Sequence, residues 1–145
     1  MDLTKEYPRS PREELDGMKI LPRAIDKARA QLEGKLGDYI YFGCRFNRKL
    51  FNAFGVTEEE FLESVRATKN DDEVVEWVQE FVRPERHRIE QVNEWVLHNE
   101  PALGEREEFC DELEKVDPGN DSAKTCTDLI DLEEGRKQKE SSTAT

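Results

Sequence analysis

Along most of the chain the apolar residues return at intervals of three and four, which is the spacing of one face of an α-helix. The first such series runs from Leu21 through Ile25 and Ala28 to Leu32, and Gly34 offers a stop behind it. Similar series recur in four later stretches, at 74–82, 89–96, 109–113 and 129–132. We therefore predict an all-α fold, a single-domain array of about six or seven short helices with no convincing strand.

The clearest helix start lies between Val56 and Phe61. Thr57 and Glu60 have the spacing of a capping box, in which each side chain accepts a hydrogen bond from the backbone amide of the other residue. Val56 and Phe61 are placed to make the hydrophobic contact that often accompanies such a cap. The pattern predicts a helix from 58 to about 68.

Two weaker signals predict helix starts earlier in the chain. Ser10 is placed to cap a short helix whose first position is Pro11 and which ends near Gly17. Asn47 is placed to cap a helix that runs to Phe54.

The last residues of the chain show a different pattern. From 135 to 145 the sequence is polar and has no apolar periodicity. Segments of this composition cannot bury enough apolar surface to hold a fixed structure. We therefore predict a helical domain over 1–134 and a disordered tail over 135–145.

Charge is distributed unevenly along the 145 residues, of which 39% are charged and 35% hydrophobic. Residues 1–50 hold 11 Lys or Arg against 8 Asp or Glu, whereas the remainder holds 11 against 26, and the whole chain carries −12. The long acidic part repels a phosphate backbone, so we expect no nucleic-acid partner. An anionic ligand is expected to favour the N-terminal third.

The cysteines and the apolar runs indicate the cellular compartment. Cys44, Cys110 and Cys126 are odd in number and far apart, which is typical of reduced thiols and favours a cytoplasmic location. No apolar run approaches membrane-spanning length, and the first six residues lack the apolar stretch of a signal peptide. We expect no membrane partner.

Several short stretches resemble one bacterial family. In the N-terminal third these are Arg9-Ser-Pro-Arg12, Leu21-Pro-Arg-Ala-Ile-Asp-Lys-Ala-Arg-Ala30 and Gly34-Lys-Leu-Gly-Asp-Tyr39, and the later ones are Glu76-Trp77 and Asp128-Leu-Ile-Asp-Leu-Glu-Glu-Gly135. They are similar to a family known only as a domain of unknown function, the 5069 family. The resemblance covers most of the chain before the tail. It implies a bacterial, single-domain protein, but neither an activity nor a catalytic residue.

The first amphipathic series also defines a candidate binding site. With its apolar residues toward the core, a rotation of about 100° per residue places the charged residues 23, 26 and 27 on the outer side and residue 29 at the boundary. An Arg- and Tyr-rich patch there is suited to a carboxylate or phosphate, since guanidinium groups offer paired donors. The candidate ligand-binding residues are Arg9, Arg23, Asp26, Lys27, Arg29, Tyr39 and Tyr41. The alternative is a solvated face on which Asp26 pairs with Arg23 or Lys27.

The sequence signal for a metal site is weaker than the signal for the anion-binding patch. His87, Glu90, Glu94 and His98 follow one another at steps of three and four, so they share one helical face. Along one helix such a row spans about 16 Å, too far for four ligands of one ion. The row also lies opposite the apolar positions, where a solvated charged stripe belongs, so we expect no metal.

The sequence contains no glycine-rich phosphate loop and no hydrolase motif, so we expect no cofactor. The first hypothesis is a non-catalytic binding or protein-interaction module that uses the Arg/Tyr-rich patch. The alternative is an enzyme of unrecognised type acting on a small anionic metabolite, with Arg23 or Arg29 positioning the substrate and Asp26 or Tyr39 transferring a proton. A third possibility is a homo-oligomer whose interface uses the aromatic loop 39–42.

Overall fold

Helices make up most of the secondary structure in the computed structural model, which describes residues 1–136. These residues contain seven α-helices, Leu21–Glu33 (α1), Arg45–Phe54 (α2), Glu58–Arg66 (α3), Asp71–Trp77 (α4), Arg86–His98 (α5), Arg106–Val116 (α6) and Cys126–Glu133 (α7). They also contain a π-helical turn at Val78–Val82 and a 3-10 turn at Leu103–Glu105. The predicted all-α class and the predicted number of helices are confirmed.

The chain divides into two compact units, Met1–Val96 and Leu97–Thr145, with the boundary inside α5. The single helical domain over 1–134 stays a prediction. Of the predicted tail, Gly135 and Arg136 belong to the described residues, and the amide of Arg136 donates to the carbonyl of Asp131 at 2.8 Å. The rest of that tail, 137–145, lies outside the described residues. Among the helices of residues 1–136, none is long and apolar enough to cross a membrane.

A small antiparallel hairpin occupies the place of the short helix predicted to end near Gly17. Glu14–Leu15 (β1) pairs with Met18–Lys19 (β2), and Asp16 and Gly17 form the turn with φ of 54° and 76°. Positive φ at both central positions is the geometry that an Asp-Gly turn favours. The helix prediction and the expectation of no strand are therefore wrong, because this left-handed turn cannot continue a helix begun at Ser10.

α1 begins directly after a strained residue. Ile20 has φ of 76° and ψ of −32°, a region that β-branched residues rarely adopt, and it is fully buried. Its amide donates to the carbonyl of Pro11 at 3.1 Å, and its carbonyl accepts from the amide of Ala24 at 2.8 Å. Pro22 in the first turn and the left-handed Gly34 behind the last turn set the bounds of α1. The hairpin and Ile20 thus fix the start of the helix that carries most candidate residues.

The core of the first unit lies where α1, α2 and α3 meet. Apolar side chains that are at most 2% exposed come from all three helices, namely Leu21, Ala24, Ile25, Ala28, Leu50, Phe51, Phe61 and Val65. The rings of Phe51 and Phe61 lie 4.6 Å apart. Since each fully buried Leu, Ile or Phe side chain contributes about 1.5–3 kcal/mol, this core is the main support of the three helices.

The starts of α3 and α2 show where the sequence predictions hold and where they fail. Thr57 and Glu60 make both hydrogen bonds of the predicted capping box, and α3 ends at Arg66, two residues before the predicted end. α2 begins after Cys44, so the prediction that Asn47 caps it is wrong. Asn47 instead lies in the first turn of α2 and is fully buried. A polar side chain therefore stands on the core face of that helix.

α4 starts at Asp71. The side chain of Asn70 accepts a hydrogen bond from the amide of Glu73 at 3.0 Å, which caps the helix. α4 continues directly into the π-helical turn, and Arg83 ends that turn in the left-handed conformation with φ of 47°. Pro84 follows, so the chain is redirected before α5 begins.

In the second unit, α6 packs against α7. Thr125 and Asp128 form a capping box at the start of α7. The side-chain amide of Asn99 donates to the hydroxyl of Thr127 at 2.9 Å, and the carbonyl of Asn99 accepts from the amide of Cys126 at 2.8 Å. These bonds hold the first turn of α7 in place.

Candidate functional site

An ion-pair network joins the N-terminal segment to α1 and α4. Arg9 donates to the carboxylate of Asp26 from its backbone amide at 2.9 Å, from Nε at 3.0 Å and from Nη2 at 2.9 Å. Its Nη1 donates to Asp71 at 2.8 Å. Burial alone lowers the pKa of Arg9, but the hydrogen bonds to Asp26 and Asp71 outweigh it and raise that pKa above its ordinary value. Arg9 is therefore held as a cation between two carboxylates.

In addition to Arg9, two cations on α1 lie over the ring of Tyr39. Arg23 Cζ lies 5.8 Å and Lys27 Nζ 5.5 Å from the ring centroid. Arg23 Nη1 donates to the backbone carbonyl of Arg9 at 3.1 Å, and Lys27 Nζ donates to Cys44 Sγ at 3.4 Å. These contacts bring together five of the seven candidate residues, which we call the α1 cluster: Arg9, Arg23, Asp26, Lys27 and Tyr39.

The predicted outward position of three charged residues on α1 is wrong. Arg23, Asp26 and Lys27 are 3%, 3% and 5% exposed. The N-terminal segment covers them through Arg9, and the loop that follows α1 covers them through Tyr39. Periodicity identifies the apolar side of a helix, but it does not show that other segments also cover the opposite side. Asp26 pairs with Arg9.

Two candidate residues lie apart from the α1 cluster. Tyr41 is 1% exposed and its hydroxyl donates to the backbone carbonyl of Glu58 at 2.5 Å. Burial, followed by the nearby carboxylates of Glu58 and Glu59, raises the pKa of Tyr41 above its usual value. Arg29 is half-buried, and its Nη2 is buried without a hydrogen-bond partner within residues 1–136. Tyr41 therefore has a structural role in the loop, while Arg29 keeps a donor unused inside the fold.

Sequence reasoning missed three residues at this site. Asp71 supplies the second carboxylate that accepts a hydrogen bond from Arg9. Cys44 accepts from Lys27, and Asn47 lies one turn further along α2. The distance along the chain between Asp71 and Arg9 leaves no local pattern that predicts their contact. The early position of Asn47 in an amphipathic helix was the one available signal, and it resembles that of an ordinary cap.

A second group of two cations and one ring lies on α2. Arg45 Cζ is 5.8 Å and Lys49 Nζ is 5.4 Å from the ring centroid of Trp95, on α5. Both cations are exposed, whereas Trp95 is half-buried and packs edge-on against Phe46 with ring centroids 4.8 Å apart. We call Arg45, Lys49 and Trp95 the α2 group. It offers an exposed counterpart to the α1 cluster.

The chain matches one known protein family over most of its length. A family model described as a domain of unknown function (DUF5069) matches residues 5–136. The chain belongs to this family. No curated protein matches the sequence. The matched region of the DUF5069 chain contains the α1 cluster, the α2 group and all seven helices.

Two open grooves in the described part of the DUF5069 chain lie away from the α1 cluster. One, of about 540 Å³, is lined by the hairpin turn, the π-helical turn and the first part of α5, and another, of about 440 Å³, lies beside α6 in the second unit. No residue of the α1 cluster lines either groove. Because the cluster itself is mostly buried, a ligand held there has to be small.

The four residues considered for a metal all lie on one helix, α5. His87, Glu90, Glu94 and His98 are exposed along α5. Nδ1 of His87 lies 3.3 Å from Oε2 of Glu85, which is not one of these four residues. In the described part of the DUF5069 chain, no three His, Cys, Asp or Glu side chains come together in a way that suits a metal ion.

Proposed function

We propose that this protein is a non-catalytic binding module whose α1 cluster takes a small anionic ligand. The observation that supports the proposal most is the convergence of Arg23 and Lys27, two cations at most 5% exposed, on the ring of Tyr39. Buried cations attract an anion more strongly than exposed ones, because protein surroundings screen charge less than water does. Guanidinium and ammonium donors together suit a carboxylate or a phosphate group.

The geometry favours binding over catalysis. The enzyme alternative assigns proton transfer to Asp26 or Tyr39. Asp26 accepts three hydrogen bonds from Arg9, so its carboxylate is held as a structural partner rather than as a mobile base. Tyr39 presents its ring to two cations. In this arrangement the cluster is preorganised for charge recognition.

A protein contact is a second candidate function, and the loop 39–42 supports it. Ile40 and Phe42 are 56% and 42% exposed, beside the half-buried Tyr39 and the buried Tyr41. Adjacent exposed apolar side chains favour an interface, here with a second copy of the chain or another protein. The proposal further includes a bacterial, cytoplasmic protein without a nucleic-acid partner. Three cysteines outside any disulfide and a net charge of −12 support the last two points.

Native mass spectrometry of freshly purified protein tests the proposal, because one spectrum reports a retained small molecule and the oligomeric state. We expect a non-protein mass on the wild-type chain that is absent from the Arg23→Gln, Lys27→Gln variant. Gln keeps much of each side-chain stem while it removes the charge. The matched control is Arg45→Gln, Lys49→Gln, which removes the same charges at the same spacing from the α2 group and should keep the ligand.

Two further outcomes decide the interpretation. If the buried double variant does not fold, the single variants Arg23→Gln and Lys27→Gln replace it, because each removes one of the two charges that the proposal assigns to the anion. Retention of the same mass by a folded α1-cluster variant contradicts the proposal. A ligand-free dimer that becomes monomeric in Ile40→Ser, Phe42→Ser favours the protein-contact function instead.

A further inference from the structure

Asn47 carries the largest unmet hydrogen-bonding capacity in the first unit. Its side chain is 0% exposed, and within the described chain neither Nδ2 nor Oδ1 has a hydrogen-bond partner. A buried amide left in this state costs about 1–3 kcal/mol for each unmet group. Such exceptions in folded proteins require an explanation, and a bound polar molecule is a common one.

Asn47 lies in the first turn of α2, where we expect its amide to lean toward the N-terminus of the helix. Asn47 is the third residue of this ten-residue helix, and a side chain on a helix leans toward the N-terminal end. Cys44, the residue before the helix, lies three positions earlier on the same face and is buried. Lys27 Nζ lies 3.4 Å from Cys44 Sγ. We therefore expect the amide of Asn47 and the ammonium of Lys27 to flank the same first turn.

The first turn of α2 is electrostatically suited to an anion. Its N-cap, Cys44, makes no side-chain capping bond, and its first turn contains no acidic residue. The partial positive charge of the helix N-terminus adds to that of Lys27. One carboxylate is near: Glu58 accepts from the amide of Gly43 at 2.7 Å and lies 3.7 Å from Arg48. Glu58 is thus bonded to Gly43, the residue before the N-cap, and lies next to the exposed Arg48. Arg48 partly balances the charge of Glu58.

We infer that Lys27, Asn47 and the first turn of α2 form a binding site for a small oxyanion that carries a proton, such as hydrogen phosphate or bicarbonate. The charged oxygens of this ligand accept from Lys27 Nζ and Asn47 Nδ2, and its O–H group donates to Asn47 Oδ1. A fully deprotonated anion lacks the donor that Oδ1 requires. This inference rests on the proposed function, because it names the ligand class and its position next to the α1 cluster.

The test uses the full chain and compares inorganic phosphate with sulfate near neutral pH, where phosphate keeps at least one proton and sulfate keeps none. Isothermal titration at matched ionic strength measures each Kd. We expect phosphate to bind at least about tenfold more tightly than sulfate, since one satisfied hydrogen bond with a charged partner is worth about 1.5–3 kcal/mol and tenfold is 1.4 kcal/mol. Bicarbonate should resemble phosphate.

Two Asn variants on one helix isolate the amide. Asn47→Leu removes both unmet groups and keeps a similar volume, so it should melt at the wild-type temperature or higher without anion and should weaken phosphate binding at least about tenfold. Asn52→Leu makes the same change on the exposed side of α2 and should leave phosphate binding unchanged. Asn47→Ala provides a second variant if leucine does not fit.

The outcomes separate this inference from the proposed function. Unchanged phosphate binding in Asn47→Leu, or equal affinity for phosphate and sulfate, overturns the oxyanion site. If Arg23→Gln, Lys27→Gln then still abolishes anion binding, the proposed function stands without it. A wild-type chain that binds none of the three anions also overturns the inference, and a water molecule is then the partner of Asn47. The native mass spectrum in that case decides the proposed function alone.

Discussion

The α1 cluster and the α2 group share one local pattern and differ in their surroundings. Each has an arginine followed four residues later by a lysine on the same helix, Arg23 and Lys27 in one case and Arg45 and Lys49 in the other. The distances to the two rings agree within 0.1 Å, at 5.8 and 5.5 Å from Tyr39 and 5.8 and 5.4 Å from Trp95. In α1 both cations are buried, whereas in α2 both are exposed.

This difference shows that exposure, rather than spacing, separates a candidate binding site from an ordinary helix surface. The exposed pair loses most of its electrostatic effect to water and dissolved ions. The buried pair keeps its effect because other segments cover it. Arg9 reaches Asp26 from the N-terminal segment, and Tyr39 arrives from the loop behind α1. The predictions that follow test whether this cover has the energetic consequences we infer.

Asp26→Asn should have the largest effect, because it removes the buried carboxylate of an ion pair that the α2 group lacks. Arg9 would keep Asp71 but lose the carboxylate that accepts three of its hydrogen bonds. Removing one partner of such a pair costs about 3–5 kcal/mol. Denaturant unfolding of both proteins measures the difference, and Asp72→Asn, an exposed neighbour of Asp71, should cost less than about 0.5 kcal/mol. A loss below about 1 kcal/mol for Asp26→Asn contradicts the buried network.

The coupling between lysine and ring should be the next largest difference. Cation–π pairs contribute about 0.5–1 kcal/mol when exposed and about 2 kcal/mol or more when desolvated. A double-mutant cycle of Lys27→Met and Tyr39→Leu should therefore give about twice the coupling of Lys49→Met and Trp95→Leu. Unfolding free energies of the six variants and the wild type provide both cycles. Equal coupling energies would show that burial of the α1 cluster does not strengthen its contacts.

The same comparison explains how much the sequence could predict. The helix positions follow from apolar spacing, and the start of α3 follows from Thr57 and Glu60, because these signals act within a few residues. The candidate patch on α1 was also found from local composition, with five of its seven residues brought together. What covers the patch could not be predicted. Arg9 and Asp71 meet across 62 positions, and no local pattern records such a contact.

The errors have the same origin. For the hairpin, the cap signal at Ser10 predicted a helix, whereas Asp16 and Gly17 form a tight turn. Asn47 was assigned to a cap because an Asn before an apolar series is most often one. Only the packing of α2 against its neighbours shows that its core face includes this amide. The candidate oxyanion site therefore depends on a residue whose burial is a tertiary property.

Salt should produce the smallest effect and should again distinguish the two groups. Ions at 1 M shorten the screening length to about 3 Å in water but do not enter a buried cluster. The coupling of Lys49 to Trp95 should therefore fall by a few tenths of a kcal/mol between low salt and 1 M sodium chloride, while that of Lys27 to Tyr39 stays constant. Repeating both double-mutant cycles in sodium chloride measures this, and chloride is chosen because it carries no proton for Asn47 Oδ1. An equal fall in the two couplings would mean that solvent reaches Arg23 and Lys27 in solution, and the α1 cluster would then be a solvated surface like the α2 group.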